Sequence, residues 1–102
     1  MNQQFKKGVL EICILQLILK KDLYGYEIVK MLHEKFNVSE STIYPIIRRL
    51  SVEGLCETYL LESSSGPARK YYKITTKGKK HLKKEKEEWI KFNEVVKEIL
   101  EK

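Results

Sequence analysis

The stretch that decides the fold of this chain reads SESTIYPIIRRLSVEGL over residues 39–55. Ser39 opens it with a hydroxyl of the kind that caps helices, and Gly54 near its end is a typical helix-ending residue. Between them, apolar residues recur at i, i+3, i+4 and i+7, which is the spacing of one face of an amphipathic helix. These residues are Ile43, Ile46, Ile47 and Leu50. We therefore predict a helix here whose isoleucine-rich stripe faces the core.

The opposite face of this predicted helix has an unusual composition, with no acid between Ser41 and Val52. Hydroxyls, a phenol, a proline and two guanidinium groups make up the face: Ser41, Thr42, Tyr44, Pro45, Arg48 and Arg49. Such side chains suit a DNA groove, because they can hydrogen-bond to phosphates and to base edges. A solvated helix face is the plainer alternative. Pro45 argues against that alternative, since a proline inside a helix gives up a backbone hydrogen bond.

The charge of the chain is concentrated in one segment. The chain has 102 residues, enough for one compact domain, and carries 20 Lys and Arg against 14 Asp and Glu. Residues 69–86 hold nine basic side chains and one acid, Glu85. A basic block of this kind indicates a polyanionic partner, nucleic acid first and an anionic membrane surface second. Since no apolar run approaches 18 residues and no secretory leader is present, we expect no membrane span and a cytoplasmic location.

Two further helices are predicted before residue 39. Residues 5–19 are apolar on nearly all sides, which is typical of a helix buried in a core or against a partner chain. We predict Asp22 as the N-cap of a second helix near residues 24–36. Gly25 in its first turn indicates close packing against another backbone. The inward stripe of this second helix would consist of Ile28, Met31, Leu32 and Phe36.

After Gly54 the apolar period changes from 3.6 to 2, which predicts strands. The strands are residues 55–61 and 69–74, joined by a polar loop, and the resulting hairpin must pack on the helices to be stable. Thr75 is predicted to cap a last helix, about 39 Å long, that ends near Leu100. An apolar stripe at heptad spacing runs along it: Leu82, Trp89, Phe92, Val96 and Ile99.

This order of elements is that of a winged helix-turn-helix. The fold class we predict is mainly α with a small β-hairpin, with the DNA-binding domain over residues 1–75 and a long C-terminal dimerisation helix over residues 76–102. In such modules the second helix of the pair enters the major groove. The wing adds phosphate contacts, for which Arg69 and Lys70 are the candidates. Three short helices and a hairpin cannot cover so long an apolar stripe, so we expect a homodimer.

Three blocks of the chain resemble PadR-type transcriptional regulators of the short subclass with a single C-terminal helix. The blocks are YGYEI at 24–28, STIYPIIRRL followed by EGL across 41–55, and RKYYKIT with a later glycine across 69–78. The tyrosine–proline pair inside the second block is the most specific of these signals. The blocks occur in order and at fitting distances, and the resemblance extends over nearly the whole chain.

The resemblance implies a dimeric winged-helix repressor in which the C-terminal helix of one subunit packs on the N-terminal helix of the other. It implies DNA contacts at Ser41, Thr42, Tyr44 and Pro45, with the wing and the flanking basic residues on the phosphates. In multidrug-sensing relatives a tryptophan of the last helix flanks a flat hydrophobic pore, and Trp89 occupies the matching position. Two interpretations of Trp89 stay open: a dimer-core aromatic, which we favour, and a platform for a flat apolar effector.

The leading functional hypothesis is a sequence-specific regulator that binds a double-stranded DNA operator. We expect a repressor that a small molecule or a stress signal releases. The alternative is a winged-helix module that binds protein and not DNA, although the arginine pair and the basic block favour DNA. We predict no enzyme, cofactor or metal site, because His33 and His81 are isolated from other ligand residues and the serines at 63–65 have no nearby base.

Overall fold

The computed structural model describes residues 3–101, with side chains from Lys7 to Glu101. Along these residues the order is α1 (Gln3–Lys20), β1 (Leu23–Tyr24), α2 (Gly25–Phe36), α3 (Glu40–Val52), β2 (Cys56–Ser63), β3 (Gly66–Ile74) and α4 (Thr76–Leu100). The mainly helical winged fold predicted from the sequence is confirmed. Some residues of the two predicted domains lie outside this description: Met1, Asn2 and Lys102. The same holds for the side chain of Phe5 in the first apolar run.

The core lies between α1, α2, α3 and the inner face of the sheet. All four stripe residues of α3 are buried as predicted, with exposures of 3% or less. From α1 come Leu10, Ile14, Leu15 and Ile18. The predicted stripe of α2 is wrong at Met31, which is 40% exposed, whereas Val29 is buried. The reason is geometric: Ile28, Val29 and Leu32 share one face, and Met31 lies at its edge.

The start of α2 differs from the prediction. The residue that precedes the helix is Tyr24, whose backbone N–H donates to Oε1 of Glu27 at 3.1 Å. Asp22 is therefore not the cap; its carboxylate accepts a hydrogen bond of 2.7 Å from the hydroxyl of Tyr59. Residues 23 and 24 form β1 and pair with β3, so the helix begins too late for Asp22 to reach its first turn.

The turn between α2 and α3 is short and closely bonded. Asn37 adopts a left-handed conformation with φ of 55° and donates its N–H to the carbonyl of His33 at 2.8 Å. Asparagine tolerates this conformation better than most residues do. The Nδ1 atom of His33 lies 3.0 Å from the carbonyl oxygen of Val38. These bonds hold the two helices of the helix-turn-helix at a defined angle.

The sheet is antiparallel in the order β1-β3-β2. The predicted hairpin is confirmed, because β2 pairs with β3. Two details differ from the prediction: β1 adds a third strand, and the loop expected over residues 62–68 is reduced to a turn at Ser64 and Ser65. Residues 62–63 and 66–68 carry small or polar side chains at the exposed tip of the wing, and this composition does not prevent strand pairing there. On β3, Tyr72 and Ile74 face the core.

A tight joint connects the end of α3 to the start of α4. Gly54 has φ of +76°, and Thr75 donates its hydroxyl to the Gly54 carbonyl at 2.7 Å. The Thr75 hydroxyl also accepts the N–H of Gly78 at 2.9 Å, which confirms the predicted cap. A Cβ atom on Gly78 would lie 2.0 Å from the carbonyl oxygen of Leu55. This joint sets the direction in which α4 leaves the domain.

Candidate nucleic-acid interface

The exposed face of α3 forms the centre of the candidate site. Ser41, Tyr44, Pro45 and Arg48 are exposed and Thr42 is half-buried, while the opposite face of the helix is completely covered. Pro45 is the sixth residue of α3, so it forgoes the hydrogen bond to the carbonyl of Ser41. The helix is thus anchored by one face and presents hydroxyl, phenol and guanidinium groups on the other.

The amino end of α3 carries a cluster of hydroxyls. The hydroxyl oxygen of Ser39 lies 2.7 Å from that of Ser41 and 3.5 Å from that of Thr42. These residues line a cleft of about 570 Å³, whose wall also includes Lys7 and Pro45. Free N–H groups at a helix amino end attract anions, and hydroxyls and a lysine add to that attraction. The cleft is chemically suited to a phosphate.

The ring of Tyr44 packs against the start of α2. A Cβ atom added to Gly25 would lie 3.0 Å from Cε1 and 3.2 Å from Oη of Tyr44. The prediction that Gly25 packs against another backbone is therefore wrong, because its neighbour is an aromatic side chain. Tyr44 is 37% exposed, so part of its side chain is covered and part is open to solvent.

The structure separates the two predicted arginines. Arg48 is exposed on the α3 face. Burial, followed by the nearby Cys56 and Tyr44, raises the pKa of Tyr72, and the positive charge of Arg48 opposes this rise. Arg49 is half-buried and pairs with Glu11 of α1. Adjacent helical residues point about 100° apart, so Arg49 lies on the side of the helix that contacts α1.

The wing places its two basic residues on opposite faces. The guanidinium of Arg69 lies 4.7 Å from the centre of the Tyr24 ring, on the outer face of the sheet. Lys70 pairs across the strands with Leu60 on the other face, and both side chains are exposed. Alternation along a strand explains this division, since successive side chains point to opposite sides.

A tyrosine cluster, formed by Tyr24, Tyr59 and Tyr71, covers the outer face beside Arg69. The rings of Tyr59 and Tyr71 are stacked with centres 5.5 Å apart, and those of Tyr24 and Tyr71 are 5.6 Å apart. The hydrogen bond to Asp22 raises the pKa of Tyr59. This cluster was not predicted from the sequence. Its signal was the presence of tyrosines in all three strands, but their meeting depends on the register, which pairs Tyr71 with both others.

The residues predicted for dimerisation lie together on the outer half of α4. Phe92 is 57% exposed and Ile99 is 67% exposed, with Trp89 also exposed and Val96 half-buried. No part of the chain described between residues 3 and 101 covers this stripe. Large apolar side chains in one exposed row are typical of an interaction surface.

Two further observations concern the described side chains. Between Lys7 and Glu101, no three His, Cys, Asp or Glu side chains come together in a group that could hold a metal ion. Within residues 3–101, none of the helices has the length and apolar composition needed to span a bilayer. What the α3 face does offer is a set of hydrogen-bond donors combined with positive charge.

Comparison with known proteins identifies the family. Residues 14–84 match the transcriptional regulator PadR-like family. A PadR-like transcriptional regulator from Bacillus cereus has a TM-score of 0.87 and 42% identity, with 97% of this chain and 98% of that chain covered. A PadR family regulator from Clostridium difficile has a TM-score of 0.81 and 36% identity, covering 89% and 97% of the two chains. A protein from Lysinibacillus sphaericus is 38% identical over 94 residues, which are 88% of this chain and 86% of that protein. The chain therefore belongs to the PadR-like family of transcriptional regulators, as its three sequence blocks predict.

Proposed function

We propose that this transcriptional regulator binds a double-stranded DNA operator as a homodimer and acts as a repressor that a small-molecule or stress signal releases. The observation that carries the proposal is the division of α3 into a completely buried face and an exposed face of donors. A helix that is held by one face presents its other face at a fixed angle. Contacts between side chains and base edges in the major groove require such a fixed orientation. The alternative, a protein-binding module, has no comparable support.

The exposed groups fall into two roles in this proposal. Ser41, Thr42, Tyr44 and Pro45 contact base edges at the amino end of α3. Arg48 and the wing residues Arg69 and Lys70 contact phosphates. Arg49, which the sequence analysis included, instead orients α3 on α1, because its charge is already paired with Glu11.

In this proposal residues 76–102 are the dimerisation helix and residues 1–75 are the DNA-binding unit. The exposed stripe of α4 supplies one surface. The second is an apolar groove of about 470 Å³ between α1 and α2, lined by Cys13, Leu17, Met31 and Phe36 among others. Because both surfaces belong to the same chain, a second copy can cover both at once.

A small-molecule releasing signal would, in this proposal, be a flat, apolar, cationic compound that stacks on Trp89 at the dimer centre. Indole attracts cations over its face, and a two-fold axis supplies two such rings. Such a compound weakens DNA binding only if it prefers a dimer with a different spacing of the two α3 helices. Dimer packing alone remains the role of Trp89 that we favour.

The test is a gel shift with the DNA upstream of the chain's own gene, with excess random DNA as competitor. We expect a retarded complex that survives the competitor. Tyr44→Ala should lose about 1–3 kcal/mol of discrimination, whereas Tyr26→Ala, which removes an exposed tyrosine stacked on Tyr24, should bind like the parent chain. A chain that shows no preference for any duplex would favour the protein-binding alternative.

A further inference from the structure

We propose that Gly25 is a positioning residue for DNA recognition: because it has no side chain, the Tyr44 ring can lie across the start of α2, and this contact sets where the Tyr44 hydroxyl stands on the α3 face. The inference rests on the proposed function of Tyr44 in base contact. It adds a residue from outside the recognition helix that determines sequence preference.

The contact is specific to one ring. The three atoms nearest to an ideal Cβ on Gly25 all belong to Tyr44: Cε1 at 3.0 Å, Oη at 3.2 Å and Cζ at 3.6 Å. Carbon atoms in optimal contact are about 3.5–4.0 Å apart. A methyl group at this position therefore requires the ring to move by a few tenths of an ångström, and outside the start of α2 no other atom lies closer than these three.

The backbone does not explain the glycine. Among the described residues, Gly54 is the glycine with positive φ, so Gly25 is not needed for a left-handed conformation. At the first position of α2, alanine would favour the helix more than glycine does. What the glycine supplies is space, and the group that occupies the space is Tyr44.

The arrangement fixes a proposed base-contacting side chain from two elements. Tyr44 is attached to α3, and its ring edge rests on the first residue of α2, next to Tyr24 of β1. A ring held in this way loses less freedom when it binds. A methyl group added at Gly25 should therefore change the sequence preference, although Gly25 lies 19 positions before Tyr44 in the chain.

The first experiment is a double-mutant cycle. A duplex is selected from a random pool by the unaltered chain, and its Kd is measured for Gly25→Ala, Tyr44→Ala and the double variant. We expect Gly25→Ala to weaken binding roughly tenfold, as expected for a disturbed base contact, and to add nothing once Tyr44 is alanine. Gly8→Ala is the matched control, because a Cβ there meets nothing within 4 Å. Equal losses with and without the Tyr44 ring overturn the proposal.

The second experiment needs no DNA: the aromatic ¹³C–¹H resonances of Tyr44 are recorded in the same variants. We expect them to shift in Gly25→Ala and to stay in place in Gly8→Ala. If Gly25→Ala melts early, recovery of its melting temperature in the double variant supports the ring contact. If the unaltered chain selects no duplex, the proposed function fails, while a shifted resonance still supports the positioning. Unshifted resonances overturn the positioning whether or not DNA binds.

Discussion

The two halves of α4 form one continuous helix, but they differ in charge and in the burial of their apolar side chains. Residues 76–86 contain six lysines and one glutamate, and they are anchored to the domain through buried Gly78 and Leu82. Residues 87–100 contain four glutamates and two lysines, and their large apolar side chains are mostly exposed. Among the described residues, it is therefore the first half that packs on its own chain.

The difference shows what each half needs. Helices in proteins owe most of their stability to packing of an apolar face. The first half packs on α1, where Lys86 also donates to the side-chain carbonyl of Gln16 at 3.3 Å. The second half has the apolar face without a described partner. We infer that the first half depends on packing within its own chain and that the second half is completed by another copy of the chain.

The largest expected effect comes from breaking the anchor of the first half. Gly78→Ala places a methyl group 2.0 Å from the Leu55 carbonyl oxygen, so the backbone must separate at the joint. We expect a loss of about 3 kcal/mol in the free energy of unfolding, at the upper end for overpacked sites. Chemical denaturation measures it. Gly8→Ala should be neutral or slightly stabilising; a comparable loss there would mean that any added methyl group is harmful.

The next effect concerns the second half. Phe92→Glu combined with Ile99→Glu should raise the dimer dissociation constant at least ~100-fold, since burying each of these side chains contributes roughly 1.5–3 kcal/mol. Analytical ultracentrifugation measures the change. Glu94→Lys alters the net charge by the same magnitude on the opposite face of the helix, about 160° from Phe92 and about 140° from Ile99, and should leave the dimer intact. A double variant that remains dimeric at low concentration would contradict the proposed interface.

Trp89, the only tryptophan of the chain, reports on the second half directly. Dimer formation should shift its emission to shorter wavelength as the ring leaves water. A planar cationic dye should quench it saturably if the ring also stacks on ligands, an interaction worth about 0.5–2 kcal/mol. Unchanged dye affinity in Trp89→Ala would leave the ring with a packing role alone.

The smallest expected effect concerns the salt dependence of DNA binding, which should respond to a charge on the wing and not to a charge on the second half of α4. Lys70→Ala should reduce the slope of log K against log salt by about 0.9, the effect of neutralising one phosphate fewer, without changing sequence preference. Lys91→Ala, in the second half, should leave the slope unchanged. The idea fails if the two lysines have equal effects on the slope, or if Lys70→Ala alters which duplex is preferred.

Local patterns predicted much of this molecule. The stripe from Ile43 to Leu50 and the cap at Thr75 depend on residues no more than seven positions apart, and both are confirmed. The predictions failed where a residue pairs with an element that is distant in the sequence. Asp22 failed as a cap because β1 pairs with β3, and residues 62–68 failed as a loop because the strands pair almost to the tip of the wing. Composition indicated that the tip is exposed but could not show that it is paired.

The sequence by itself determined the order of the elements, the buried face of α3 and the composition of its exposed face, because helical periodicity and capping are short-range. Only the tertiary structure decided which of the two adjacent arginines is paired, because it brings Glu11 of α1 into an ion pair with Arg49. It also decided that Arg69 lies over Tyr24 and that Tyr44 rests on Gly25. These contacts join residues far apart in the chain, and they depend on strand register and on helix packing angles, which no local pattern encodes.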